Sequence, residues 1–261
     1  MQLAIRSTSC NSRAARRFIA EEVSPVKRSA VLFGVALIAL GVPRLGGFVA
    51  NQFDFAGLDP DGAFAWISVH HVVQALIVLI SMLVIARGRG IDFGFGWGDS
   101  RTGLRFVRVF ALILLAYTVV SMAIVLVAGT FRTFPYPLTA LNVSGQIAFQ
   151  LLLSGPSEEL IFRAFGITML AFAFKGALFN RTVSTANIIA AVIFSLAHVG
   201  VSLSPFALSY DPFQLVYAGA LGIVYGMCYE KSGSVYYPMM LHSISNVVAV
   251  AVSAVAAAII G

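Results

Sequence analysis

Charge is the scarcest property of this chain: Asp, Glu, Lys and Arg together fill 11% of 261 positions. A water-soluble domain carries roughly 25% charged residues, so this composition excludes an ordinary soluble globule. Cysteine is nearly absent as well. Cys10 and Cys228 offer neither a disulfide framework nor the paired spacing of a zinc site, which removes redox chemistry and thiolate metal centres. The His-Glu-x-x-His spacing of helical zinc peptidases is missing. No internal repeat is evident, and no polar segment has room for a separate soluble domain.

What is there is apolar. Residues AVILMFWYC make up 59% of the chain and mean hydropathy is +0.91, as in a polytopic membrane protein. A spanning helix needs about 20 mostly apolar residues. Windows near that length run at Ser29 to Ala50, Phe64 to Ala86, Phe106 to Ala128, Gly145 to Phe162, Asn187 to Leu203, Phe213 to Tyr229 and Tyr236 to Ile260. The expected fold is all-α, a transmembrane helical bundle of about 7 or 8 spans. The count turns on Ala164 to Phe179, expected in or near the cytoplasmic interface unless it spans. Residues 1–28 are expected to be a basic cytoplasmic tail, and 29–261 a single transmembrane domain whose functional core occupies about 145–261.

The net charge of +6 is explained by topology without a nucleic-acid partner. Arg6, Arg13, Arg16, Arg17, Lys27 and Arg28 precede the first window, and Arg87, Arg89, Arg101, Arg105 and Arg108 lie between the second and third. The loop between the first two windows has Asp54, Asp59 and Asp61 and no Lys or Arg. By the positive-inside rule the N-terminus and the Arg87 to Arg108 loop are cytoplasmic. The expected location is a membrane, the plasma membrane if the source is bacterial.

Between Arg132 and Lys175 the only charged residues are Glu158, Glu159 and Arg163. Ionisable groups at membrane depth are costly and mark functional sites. Glu159 and Arg163 are four apart and share a helix face, which allows an ion pair. Glu158 points about 100° away, free for another partner. Gly155-Pro156 predicts a kink or a fresh helix start, in which case Glu158 also has a bland reading as a helix cap. His198, one turn after Phe194, is suited to activating water beside a carboxylate, or to a simple interhelical hydrogen bond. His242 and Asn246 share one face of the last window, either as packing groups or as donors to an oxyanion. The adjacent His70 and His71 diverge on a helix and are expected to be packing or entrance groups.

Glu158-Glu159-x-x-x-Arg163, Phe194-x-x-x-His198 and His242-x-x-x-Asn246, in this order, resemble the three motifs of the CAAX prenyl protease and bacteriocin-processing family. That family, also called Abi, includes the eukaryotic Ras-converting enzyme. The resemblance covers about Gly155 to Asn246 and implies an intramembrane endopeptidase of the glutamate type. It implies Glu158 as general base, His198 as its partner in activating water, and His242 with Asn246 as stabilisers of the tetrahedral intermediate. Glu159 and Arg163 fall at positions read as support. The implied partners are the bilayer and a membrane-associated protein or peptide substrate, from CAAX-type or bacteriocin-leader processing. Two glutamates and two histidines are a zinc-capable set, but without a local chelating pair the expectation is a metal-free site with no cofactor. Two other classes stay open: a transporter or channel with a polar midplane site, and a non-catalytic membrane scaffold of the same fold.

Overall fold

A computed structural model describes residues 24–179 and 181–260. The expected basic tail therefore lies mostly outside the described residues, and with it Cys10. Its last residues already belong to helix α1 (Pro25–Ala50), because Ser24 caps Lys27 N–H and Pro25 sits in the first turn, where its missing N–H costs nothing. Helices α2 (Ala65–Arg89) and α3 (Ser100–Val127) follow.

Helix α4 runs over 140–173 without interruption, in five segments: Ala140–Phe149, Gln150–Ser154, Gly155–Glu159, Leu160–Ile167 and Thr168–Ala173. The second and fourth are wound wider, with i→i+5 geometry. Strands β1 (Ala177–Leu178) and β2 (Val183–Ser184) form a short hairpin before helix α5 (Thr185–Leu196). A second hairpin, β3 (Gly200–Leu203) and β4 (Phe206–Ser209), leads to α6 (Pro212–Ser232) and α7 (Tyr236–Ile260). The chain is thus mostly helical, with two small hairpins that an all-α expectation left out.

Of the described helices, α1, α2, α3 and α7 are long and apolar enough to cross a membrane. The expected window Asn187 to Leu203 does not hold as a span. Helix α5 has 12 residues, about 18 Å against a hydrocarbon core of about 30 Å, and Gly200–Leu203 is strand. The stretch Ala164 to Phe179 is likewise not an interfacial segment of its own. Its first ten residues continue α4, with Ala164, Phe165, Ile167 and Leu170 buried against Val78 and Met82 of α2, Val35 and Ala39 of α1, and Ala190 of α5. A helix apolar on every side is stable only when surrounded, and this half of α4 is the centre of the bundle.

Successive helices run antiparallel. The α2–α3 loop meets the α6–α7 turn through Asp99 N–H to Ser232 O at 2.7 Å and Val235 N–H to Gly94 O at 2.9 Å, so these turns share one end of the bundle. The starts of α1 and α5 and the end of α4 lie there too. That end carries Lys27, Arg28, Arg87, Arg89, Arg101, Arg105, Arg108, Lys175, Arg181 and Lys231 with Asp92, Asp99 and Glu230, whereas the opposite end carries Asp54, Asp59, Asp61 and Asp211 with Arg44 and Arg132.

At the acidic end, Asp59 ties down the loop into α2. Its carboxylate accepts from Ala63 N–H (2.8 Å), Phe64 N–H (2.7 Å) and Ala65 N–H (2.6 Å). Burial pushes its pKa up, but the three amides outweigh burial and hold it below the ordinary value. A lowered folded pKa stabilises above the unfolded-chain value near 3.9, and that contribution disappears as pH falls through the lower folded value. Asp59→Ala should therefore cost about 0.5–2 kcal/mol near pH 7, as loss of a helix cap does. Thermal unfolding in detergent should show the gap between wild type and variant closing below about pH 4. A gap that persists unchanged at acid pH would show that the ionised carboxylate is not what holds the loop.

Close approach of α5 and α6 depends on Ala218, Gly222 and Gly226, a small residue every fourth position. Asn187 fills the space beside Gly226 and donates from Nδ2 to Ile223 O at 3.1 Å. A Cβ at Gly226 would lie 2.0 Å from Asn187 Oδ1. Gly226→Ala is expected to cost about 1–3 kcal/mol by overpacking, read as a lower unfolding temperature. An unchanged transition would mean that the two helices separate freely at this level.

Candidate active site

The two glutamates lie between the widened segments of α4. Pro156 has no N–H to give and its ring collides with the carbonyl four residues earlier, which in a regular α-helix forces a kink. Here the turn before it is wound wider, and the backbone stays helical through Ser154 (φ −59°, ψ −66°) and Gly155 (φ −55°, ψ −54°). The expected fresh helix start at Pro156 does not occur, and the capping reading of Glu158 lapses with it. Such widened turns are uncommon and concentrate at functional sites because they re-aim side chains by about one position. Gly155 brings α7 against this turn: a Cβ there would meet Ser243 N and Oγ at 2.9 Å. Ser243 Oγ donates to Leu151 O at 2.9 Å, fastening the helices together.

Glu159 points into the bundle and Glu158 toward a cavity. Glu159 is 0% exposed and Arg163 1%, with Nη1 to Oε1 at 2.9 Å. Arg163 therefore sits deep within α4, some ten residues before its end. Its guanidinium lies over the rings of Phe194 (4.5 Å) and Tyr225 (5.3 Å), and Nη2 donates to Gly222 O at 3.4 Å. A buried cation without such partners would be prohibitively costly.

His242 Nδ1 is 2.7 Å from Glu159 Oε1. A carboxylate held beside a guanidinium only accepts, so the ring donates from Nδ1. Nε2 then faces Glu158 Oε2 at 3.8 Å, too far for a direct hydrogen bond. His198 Nδ1 is 2.9 Å from Phe194 O. A carbonyl accepts only, so Nδ1 carries a proton, and in the neutral ring Nε2 is the lone-pair nitrogen. Phe194 packs edge-on to His198 (centroids 5.0 Å apart) and also contacts His242 (5.9 Å) and Phe162 (4.9 Å). Asn246 Nδ2 donates to Ser154 Oγ at 3.0 Å.

Glu158, His198, His242 and Asn246 line one cavity of about 240 Å³, together with Gln150, Ser154, Ala249 and Val250. Helix α4, the turn that ends α5 and helix α7 thus deliver a carboxylate, two imidazoles and a carboxamide to one space. Arg163 and Glu159 stand behind it. Gln150 and Ser154 were not among the expected site residues, although the four-residue spacing 150, 154, 158 along one helix face was visible in the sequence.

Behind the glutamates, His71 Nδ1 lies 2.7 Å and Gln74 Nε2 2.9 Å from Ser157 Oγ, which in turn donates to Ser154 O at 3.1 Å. His71 is a buried member of this network rather than an entrance group. The His70 ring nitrogens are buried with no hydrogen-bond partner among the described residues. Nor, among the described residues, do three or more His, Cys, Asp or Glu converge in a metal-holding arrangement.

Residues 140–248 match the family model Type II CAAX prenyl endopeptidase Rce1-like. Comparison with curated proteins and with solved structures gives no match. The matched region begins at the first residue of α4 and ends in α7 just after Asn246, so it encloses all the residues that meet in the cavity apart from its Ala249–Val250 rim. The region of this chain that builds the site is thus similar to the Rce1-like type II CAAX prenyl endopeptidases.

Proposed function

We propose that this protein is a membrane-embedded endopeptidase that hydrolyses a membrane-associated protein or peptide with water activated by Glu158. The observation that carries the reading is the meeting of Glu158, His198, His242 and Asn246 in one cavity within the region that matches the family. Glu158, 22% exposed there, takes a proton from water as the water oxygen bonds to the scissile carbonyl carbon. The carbonyl π electrons move onto its oxygen, which Asn246 stabilises from Nδ2 and His242 from Nε2 in its doubly protonated form, Nδ1–H being held by Glu159. Collapse of that intermediate breaks the C–N bond, and the proton on Glu158 passes to the leaving nitrogen. His198, with its Nε2 lone pair, orients the water. Glu159 and Arg163 hold His242 and keep the buried charge balanced.

The basic end of the bundle is placed in the cytoplasm, following the charge asymmetry. CAAX-type and leader-type substrates are both chemically suited to such a site. The mechanism is proposed to need no metal, since Glu159 and the Nδ1 atoms of both histidines are already committed within the protein.

The test is cleavage of quenched-fluorescent farnesylated CAAX and leader peptides in proteoliposomes by wild type and Glu158→Gln, with and without a strong chelator. Cleavage by wild type alone, unaffected by chelator, is the expected result. Equal cleavage by both proteins would remove Glu158 from the mechanism, and loss of activity in chelator that zinc restores would overturn the metal-free reading.

A further inference from the structure

Ser154 stands apart from the other buried helical serines of this bundle, because Ser157, Ser232, Ser243 and Ser245 each donate a hydroxyl proton to a carbonyl. Ser68, Ser81, Ser144 and Ser245 donate their hydroxyl protons back to the carbonyls of Phe64, Ile77, Leu141 and His242, the usual habit of serine inside a helix. Among the described residues Ser154 Oγ makes one hydrogen bond, as acceptor from Asn246 Nδ2 at 3.0 Å. Its own proton is not committed to the helix. The residue is 6% exposed and lines the cavity one helical turn from Glu158. Its backbone is pinned as well, because Ser154 O accepts from Ser157 Oγ and Ser157 is held by His71 and Gln74 of α2.

We propose that Ser154 is a catalytic residue of the peptidase reaction, donating its Oγ–H to the oxygen of the scissile carbonyl beside Asn246. The inference rests on the endopeptidase reading above. Asn246 Nδ2 has two protons: one goes to Ser154 Oγ and the other is left for the same substrate oxygen. A hydroxyl that accepts one hydrogen bond becomes a better donor of the next, so the pair acts as a short polarised chain aimed at developing negative charge. No bond is made or broken at Ser154 itself. The water oxygen joins the carbonyl carbon, the proton goes to Glu158, and the serine proton remains on Oγ throughout.

The experiment compares wild type, Ser154→Ala, Ser154→Thr, Asn246→Ala and the Ser154→Ala/Asn246→Ala pair on a quenched-fluorescent farnesylated CAAX peptide in proteoliposomes. Binding of the corresponding peptide aldehyde, whose hydrate mimics the tetrahedral intermediate, is measured alongside. Ser154→Ala should lower kcat about 30-fold or more with KM within about twofold, and weaken the aldehyde in proportion. Ser154→Thr, which keeps the hydroxyl, should recover most of the loss. On the Asn246→Ala background, Ser154→Ala should still cost activity or aldehyde affinity. A Ser154→Ala enzyme within threefold of wild type would overturn the proposal. So would a second substitution that adds nothing to Asn246→Ala, since Ser154 would then only position the amide. If Glu158→Gln cleaves as fast as wild type, the endopeptidase mechanism itself fails, an outcome told apart from the others by that control.

Discussion

Glu158→Gln is expected to lower turnover by about three to four orders of magnitude while leaving the fold and peptide binding in place. The substitution keeps the size and the hydrogen-bonding reach of the side chain but removes its capacity to take a proton. Glu158 lines the cavity, and its nearest described charged partner, His242 Nε2, is 3.8 Å away. No packed core and no tight ion pair depends on it. The thermal transition in detergent should therefore move little, and KM should stay within a few-fold, because only the transition state uses the lost function. A loss under about tenfold in kcat would show that proton transfer does not go through this carboxylate.

Arg163→Met should have the opposite signature, a large loss of stability. Methionine fills a similar volume between Phe194 and Tyr225, but it leaves Glu159, 0% exposed, without the cation that neutralises it. Removing one member of a buried ion pair costs about 3–5 kcal/mol, mostly as the penalty of the stranded charge. The double variant Arg163→Met/Glu159→Gln removes that charge too and should regain more than half of the loss, a non-additivity that thermal or chemical unfolding can read. Glu159→Gln alone strands Arg163 in turn and leaves His242 Nδ1 a weaker acceptor, so stability and activity should both fall. A single variant within about 1 kcal/mol of wild type would mean that Glu159 is neutral in the folded protein.

Much of the bundle was legible in composition because a bilayer imposes a length on apolar runs. The windows at Ser29 to Ala50, Phe64 to Ala86, Phe106 to Ala128 and Tyr236 to Ile260 fall on α1, α2, α3 and α7, although α1 and α3 begin earlier, at Pro25 and Ser100. Apolar length loses its meaning where a segment is surrounded by protein. Residues 164–173 are as apolar as a span, yet they continue α4 at the centre of the bundle, and hydropathy does not distinguish lipid from protein as the apolar neighbour. Asn187 to Leu203 failed for a related reason. A run of β-branched and small residues reads alike as span, short helix or hairpin until the turn at Ala197–Val199 ends α5.

For the site, residue type and four-residue spacing single out Glu158, Glu159, Arg163, His198, His242 and Asn246 as candidates, because an ionisable group in an apolar run is conspicuous and helix geometry fixes which neighbours share its face. Spacing along one helix says nothing about contacts between helices. That Glu159, not Glu158, holds His242, that Arg163 is sandwiched by Phe194 and Tyr225, and that Asn246 reaches Ser154 all depend on how α4, α5, α6 and α7 pack. That packing is set by the close approach at Gly155 and Gly226 and by the widened turns that rotate α4 by about one residue on either side of the glutamates. Serine and glutamine are ordinary in membrane helices, so Ser154 and Gln150 carry no signal until the fold lines them up with the carboxylate.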